Sequence, residues 1–412
     1  MVPNTSSNET RSRLIDWLGL ERNVVILFTS LFVLGMGEEL WVRFVPKYLE
    51  LLGAGALVIA LYGTLKDLLD AVYQYPGGWL ADKLGRRASL VIFTLLAIAG
   101  YLIYLASPGW PGILVGTLFV MAWSSLTLPA IFAIIGDNLR QERRAIGFGV
   151  QSTLKRIPIL IAPPLGGLLI ASFGLARGVK AGLVVTVLLA LVATFIIRRY
   201  YVDVVPPSMD RVRFGDIWRG MDRHLKRLLF ADCLARWAEG IPKVFVVLYV
   251  TNVLGMGAFQ FGGLTSIQMA AAILSYIPLA KLSDRMNRKP FVLLTFVFFA
   301  VFPLSLVLSG SFSGVVLAFV IAGLREIGEP ARKALIVDLA AEGTRARAVG
   351  LYYLVRGLVV FPASLVGGWL WTIHQALPFY IAFLAGVAGL LVYAAWGPGD
   401  RERNPRAETP SC

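Results

Sequence analysis

Apolar runs long enough to cross the ~30 Å hydrocarbon core of a bilayer recur along this chain from Val24 to Trp396. Twelve can be marked, at 24–48, 56–80, 89–107, 111–136, 145–173, 179–198, 226–252, 259–281, 290–309, 313–339, 346–373 and 377–396. Inside lipid there is no water to bond a stray N–H or C=O, so only helices and closed barrels are viable there. Barrel strands read as alternating segments of ~10 residues, whereas these runs are continuous. The expected fold is an all-α membrane protein with twelve transmembrane helices. Hydrophobic residues make up 57% and charged ones only 16%, which leaves little material for a soluble domain. Residues 1–23 are polar or amphipathic, and the first run is too long for a signal-peptide core. No small-residue cleavage site follows it, so it is expected to insert uncleaved.

The net charge of +14 would suit a nucleic-acid partner if it lay on one soluble face. Instead the basic residues fall in alternate loops. One set holds Lys83, Arg86 and Arg87; Arg140, Arg143 and Arg144; Arg285, Arg288 and Lys289; and Arg345 and Arg347. The 199–225 connection and both termini add more. The opposite loops, 52–57, 107–112, 251–258 and 309–314, are short and nearly uncharged, with Arg177 and Lys180 the clear exceptions. The positive-inside rule then puts both termini and the central connection in the cytoplasm. The expectation is a multi-pass protein of the inner or plasma membrane, monomeric, with the lipid bilayer and no nucleic acid as partner.

Chemistry-bearing residues are sparse. Cys233 and Cys412 suggest no disulfide framework, and with His224 and His374 as the only histidines no metal site is expected. There is no phosphate-cradling G-x-x-x-x-G-K-[ST] loop, no nucleophile elbow and no H-E-x-x-H, so neither an enzyme nor a cofactor is expected.

The chain repeats itself. Gly78-Trp79-Leu80-Ala81-Asp82-Lys83-Leu84-Gly85-Arg86-Arg87, wedged between two apolar runs, returns as Ala280-Lys281-Leu282-Ser283-Asp284-Arg285-Met286-Asn287-Arg288-Lys289, 202 residues on. Leu52-Gly53 pairs with Leu254-Gly255, Pro129 with Pro330, Asp137 with Asp338, and Gly166-Gly167 with Gly367-Gly368. Asp16-Trp17 and Asp216-Ile217-Trp218 each sit in a short amphipathic stretch ahead of a half, suited to the membrane interface. The divisions are 1–198 for an N-terminal six-helix bundle with its lead-in, 199–225 for a linker, 226–396 for a C-terminal six-helix bundle and 397–412 for a tail. Two parallel six-helix repeats are an architecture of secondary transporters.

These residues resemble the major facilitator superfamily, whose G-x-L-A-D-x-x-G-R-R/K signature the first loop matches at every fixed position. The architectural likeness covers nearly the whole chain. The second copy departs, with Ala280 and Asn287 in place of both glycines. The resemblance implies a conformational gate: Gly78, Asp82, Gly85, Arg86 and Arg87 in the first copy, with Asp82 facing the start of the eleventh helix and Arg86 reaching Asp137. By symmetry Asp284 belongs to the second copy and Arg288 reaches Asp338. Such Arg–carboxylate clips hold the halves in one state and part in the other. A bland alternative is that the loop serves only as a topology signal. Ala162-Pro163-Pro164-Leu165-Gly166-Gly167 is similar to the G-P-x-x-G-G end of the motif in the drug–proton antiporter branch, with Ala162 for the first glycine.

Charges inside the apolar runs cost roughly 2.5–3.5 kcal/mol each on insertion scales, so they face a wet cavity or a partner. Four clusters stand out: Glu38, Glu39 and Arg43; Lys66, Asp67 and Asp70; Asp232, Arg236, Glu239 and Lys243; and Arg325, Glu326, Glu329, Arg332 and Lys333. Helical spacing predicts Glu39–Arg43, Lys66–Asp70, Arg325–Glu329 and Glu329–Lys333 as i,i+4 pairs. In the resembling family the first, fourth, seventh and tenth helices line the cavity, and three clusters fall there. The fourth helix offers Trp123, Ser124 and Ser125. Lys155, Arg156 and Arg356 sit at matching places in the fifth and eleventh, while Lys47, Lys66 and Asp232 read as near a rim. Each cluster could instead be a structural ion pair, and Trp41, Phe44, Trp123 and Trp237 could be packing or interface anchors.

The reading is secondary active transport of a small molecule by alternating access, coupled to an ion gradient, with the proton as coupling ion and efflux by antiport as the expected direction. A carboxylate in a low-dielectric cavity can take a proton on one face and release it on the other. The proton candidates are Glu38, Glu39, Asp67, Asp70, Glu239, Glu326 and Glu329. The substrate candidates are Arg43, Trp123, Ser124, Lys155, Arg156, Arg236, Arg325, Arg332 and Arg356. Import of a small polar or anionic metabolite is the alternative, and a non-transporting sensor or lipid flippase is the alternative of another class.

Overall fold

A computed structural model describes residues 22–127, 131, 134, 141–202, 218–340 and 345–398, with side chains for all of these but 75, 82, 141–153, 277, 280, 281, 284, 285 and 345–347. Among the described residues all regular structure is helical. In chain order the helices are α1 Arg22–Glu38, α2 Val45–Leu51, α3 Ala56–Leu84, α4 Arg86–Ala106, α5 Trp110–Met121, α6 Gln141–Phe173, α7 Leu175–Tyr200 and α8 Arg223–Gly240. There follow α9 Phe245–Leu248, α10 Ala258–Arg285, α11 Lys289–Val307, α12 Phe312–Leu324, α13 Glu329–Asp338, α14 Arg345–Val360, α15 Ala363–Ile373 and α16 Leu377–Trp396. Among the described residues seven helical stretches are long and apolar enough to cross a membrane: Arg22–Leu51, Arg86–Ala106, Leu154–Phe173, Leu175–Tyr200, Lys289–Val307, Ala348–Ile373 and Leu377–Trp396. Trp110–Leu126 is a shorter apolar stretch. Several of the remaining helices carry the intramembrane charges, which lower their mean hydropathy.

The repeat shows in the backbone. Gly53 and Gly255, matched in the sequence, both take left-handed φ, +83° and +67°, at the turn leading into α3 and α10. Only a residue without Cβ adopts this at no cost. Gly85 also has positive φ (+86°) and lets α4 start directly after α3. The second copy has Asn287 there, and among the described residues no non-glycine residue has positive φ. The chain instead spends Met286–Arg288 on the turn between α10 and α11, which is why the worn copy can dispense with its glycine. Asp222 caps α8, accepting from the amides of His224 (2.7 Å) and Leu225 (3.3 Å).

Four helical lines break at matching levels. α1 stops at Glu38, and after a turn at Glu39–Trp41 and a single 3₁₀ turn, Val42–Phe44, α2 restarts with Pro46 in its first turn. Its repeat partner α8 stops at Gly240, turns through Ile241-Pro242-Lys243-Val244 and resumes as α9. α5 passes into a π turn at Ala122–Leu126, and α12 stops before a turn at 325–328 that α13 follows with Pro330 in its first turn. Proline fits there because its missing N–H is one the helix start leaves unpaired anyway.

The packing is lopsided along the bundle axis. One buried core runs through the N-terminal half and takes in C-terminal-half residues from the uncharged-loop end, among them Phe245, Tyr249, Phe261, Phe302, Phe319 and Phe379. At the charged-loop end the C-terminal half keeps its own core, with Leu225, Phe291, Phe296, Leu335, Tyr352 and Tyr393. Small residues allow the cross-half approach: a Cβ on Gly262 would meet the Pro163 carbonyl oxygen at 2.3 Å, and one on Gly167 would meet that of Ala258 at 2.5 Å. Asn252 ties the same end, donating to Glu50 Oε1 at 2.7 Å and accepting from Lys47, which also bonds Glu50 Oε2 at 2.6 Å.

Gly262→Val should therefore destabilise the purified protein by about 1–3 kcal/mol through overpacking, while Gly263→Ala, whose Cβ meets nothing within 4 Å, should leave it unchanged. Thermal unfolding in detergent checks this, and equal melting of the two variants would remove the close helix crossing.

Candidate functional site

The helix breaks ring a cavity of about 500 Å³ between the halves. Of the residues singled out in the sequence, Glu38, Glu39, Arg43, Asp67, Asp70, Ser124, Lys155, Glu239 and Arg325 line it. Lys66 and Lys243 line it too, so Lys66 lies at the cavity and not at a rim. A side chamber of about 100 Å³ shares Glu38, Glu39, Ser124 and Lys155 and adds Trp123. Sequence reasoning missed Tyr62, Tyr104 and Gln268 on the wall and Tyr101 behind it. Tyr62 shares a face of α3 with Lys66, four residues on, a signal that was there to be read.

The cavity acids fall into two sets. Glu39 Oε2 accepts from Arg43 Nε at 2.7 Å, Asp67 Oδ1 from Lys243 Nζ at 2.6 Å across the halves, and Glu239 Oε2 from Arg236 Nη1 at 2.7 Å. Among the described residues Glu38 and Asp70 have no cation within 4.0 Å; each accepts from a hydroxyl. Tyr101 donates to Glu38 Oε1 at 2.5 Å and Ser125 to Asp70 Oδ1 at 2.9 Å. Tyr101 is held edge-on against Trp41 (centroids 5.9 Å), whose indole N–H donates to Thr186 at 2.9 Å. Glu38 is thus gripped by a rigid aromatic set.

Two predicted i,i+4 pairs do not form. Lys66 leans over the Tyr62 ring (5.6 Å) while Asp70 turns to Ser125. Arg325 is separated from Glu329 by the helix break; its Nη1 approaches Glu239 at 3.8 Å and its guanidinium lies over Phe302 at 4.9 Å. Lys333 does approach Glu329, at 3.7 Å. Arg156 leaves the wall to bind Glu326 across the halves at 2.9 Å, its guanidinium over Tyr276 at 4.2 Å.

Arg236, Glu329, Arg332 and Arg356 lie off the cavity wall, in a network within the C-terminal half. Its centre is Asp232, which the sequence placed near a rim but which is 0% exposed. Asp232 Oδ2 accepts from Arg332, from the Tyr352 hydroxyl at 2.9 Å and from Arg356 at 3.3 Å. Arg332 also bonds Glu329 at 2.5 Å, and Arg236 reaches Glu329 at 3.2 Å. Of the gate residues, Arg288 Nη1 donates to Asp338 Oδ2 at 2.6 Å, and Arg86 is buried. Asp137 and the side chains of Asp82 and Asp284 lie outside the described residues, as do the side chains of Arg140, Arg143, Arg144, Arg345 and Arg347.

Arg332→Met should cost about 3–5 kcal/mol because it strips a buried carboxylate of its main partner. Lys333→Met, at a half-exposed side chain, should cost under ~1 kcal/mol. Chemical denaturation of the two variants checks the difference, and equal losses would mean Asp232 is not the keystone.

Comparison with known proteins agrees with this geometry. The sequence model of the Major Facilitator Superfamily matches residues 27–230 and again 228–411, so both halves are recognised. The chain is 24% identical over 384 residues to the uncharacterized MFS-type transporter MJ1317 of Methanocaldococcus jannaschii, covering 90% of this chain and 94% of that one. It is 26% identical over 293 residues to the multidrug resistance protein MdtG of Escherichia coli, covering 69% and 71%. In fold it resembles a POT family transporter crystallised with a thioalcohol-conjugated peptide (TM-score 0.75, 15% identity, 91% and 96% covered). It also resembles the human organic anion transporter MFSD10 (TM-score 0.65, 15% identity, 90% and 98% covered). A chain with matches to one family over both halves, that family's fold and a cavity between the halves is a multi-pass membrane transporter of the Major Facilitator Superfamily.

Proposed function

We propose that this protein is a proton-coupled secondary transporter of a small molecule, working by alternating access between two six-helix bundles of twelve spans in all. The linker 199–225 and both termini lie in the cytoplasm in this reading, in a monomer of the inner or plasma membrane. The observation that carries it is Glu38: a carboxylate on the wall of the cavity, at a helix break, with no cation within 4.0 Å among the described residues. An acid bonded only to a hydroxyl can gain and lose a proton without tearing an ion pair apart, whereas Glu39, Asp67 and Glu239 cannot. Asp70, bonded to Ser125, is the second acid of this kind. Glu326 and Glu329, held by arginines, fit a structural role better. Cross-half packing gathered at the uncharged-loop end supports an inward-facing state, with the cavity opening toward the charged loops.

Two directions have support. Likeness to MdtG and the proline–glycine–glycine stretch of α6 favour export by proton antiport. The lysines on the wall, Lys66 and Lys155, favour uptake, because an anion and a proton in neighbouring sites assist each other's binding.

Everted and right-side-out membrane vesicles, incubated with a panel of small molecules in the medium and given an imposed pH gradient, test both. The wild type should accumulate a solute in a gradient-dependent way, in everted vesicles for export and in right-side-out vesicles for uptake. Glu38→Gln should abolish the gradient dependence while Glu329→Gln retains it. Coupling intact in Glu38→Gln would rule Glu38 out as the proton site.

A further inference from the structure

The charges of the cavity wall do not all cancel locally. Arg43 has Glu39, Lys243 has Asp67 and Arg325 approaches Glu239. Lys66 on α3 and Lys155 on α6 have no carboxylate within 4.0 Å among the described residues, though both lie within electrostatic reach of Glu38. An ammonium without a counter-ion at bilayer depth is expensive and marks a ligand or a path. The wall itself carries five acids and five bases, but behind it the balance is positive: Asp232, Glu326 and Glu329 face Arg156, Arg236, Arg332, Lys333 and Arg356. The wall itself also carries apolar rings, Phe261, Phe302 and Phe319, and a volume of about 500 Å³ lies within the range of ordinary small-molecule sites.

We infer that the substrate is a small organic anion, its carboxylate, sulfonate or phosphate group held by Lys66 and Lys155 and its apolar body set against Phe261, Phe302 and Phe319. The assignment rests on the reading that this cavity is the transport cavity. Lysine ammonium groups are compact charges that bind oxyanions without a fixed fork geometry, so the site accepts a class of anions and selects by the body. With Glu38 protonated, a cationic solute would face both lysines with only Asp70 to receive it. The anion also competes with the Glu38 carboxylate for the same lysines, so anion and proton bind together.

Full-length protein in lipid nanodiscs, titrated calorimetrically with benzoate, benzenesulfonate and phenyl phosphate, tests this against the neutral benzyl alcohol and the cationic benzyltrimethylammonium. At least one anion should bind in preference to the alcohol and the cation. Lys66→Met and Lys155→Met should each weaken it about tenfold or more, the loss of one charge-assisted hydrogen bond, and Lys66→Arg and Lys155→Arg should keep it. The arginine variants also guard against misfolding as the cause. Binding of the alcohol or the cation as tight as that of the anions would overturn the inference. So would anion binding unchanged in both methionine variants, or no binding by any of the three anions. Binding is read without flux, so lysine-dependent anion binding by a protein that shows no pH coupling upholds the anion site and removes the proton reading alone.

Discussion

The cost of placing charge in a low-dielectric interior organises this molecule. A charge there needs a partner or water, and among the described residues nearly every charged side chain inside the bundle has found one. Where the partner is another side chain of the same half, as around Asp232, the result is a closed knot: three arginines and a tyrosine converge on one buried carboxylate. Where the partner lies across the halves, as for Lys243–Asp67 and Arg156–Glu326, the ion pair is also a strut between the bundles. A rocking motion that separates those partners must offer each of them water or a ligand in return. Among the described residues Glu38, Asp70, Lys66 and Lys155 line the cavity with no opposite charge within 4.0 Å, and it is on these that the proposed proton and anion binding rests.

The broken helices make this arrangement possible. A continuous helix fixes which residues share a face, and it would have stacked Arg325 on Glu329. The turn at 325–328 frees Arg325 to reach Glu239 on the neighbouring line while Glu329 stays in the Asp232 knot. The break after Glu38 similarly lets consecutive acids diverge, Glu38 to Tyr101 and Glu39 to Arg43. Irregular backbone at membrane depth is tolerated where it lines a polar cavity, so break and cavity stabilise each other. The two halves have diverged in how they use the same plan. The N-terminal wall holds its acids by hydroxyls and single ion pairs, while the C-terminal half has pulled most of its charge into a packed core.

The sequence by itself determined the membrane setting, the helical class, the repeat and the family, because each is written in one-dimensional pattern. Runs of apolar residues match the bilayer thickness, a glycine pair at fixed offset marks the same left-handed turn twice, and a ten-residue loop recurs. It also put every charged wall residue on the list of candidates, since a charge in an apolar run stands out whatever it touches. Only the tertiary structure decided which charges face the cavity, which face each other and which are left over. Spacing along a helix could not reveal that α1, α5, α8 and α12 break or give way to a π turn, nor that Tyr101 from another helix reaches Glu38, nor that Asp232 lies in the core and not at a rim. Those are facts of neighbouring segments, and in a low-dielectric interior the neighbour across the gap, not the next residue in the chain, sets what a charge can do.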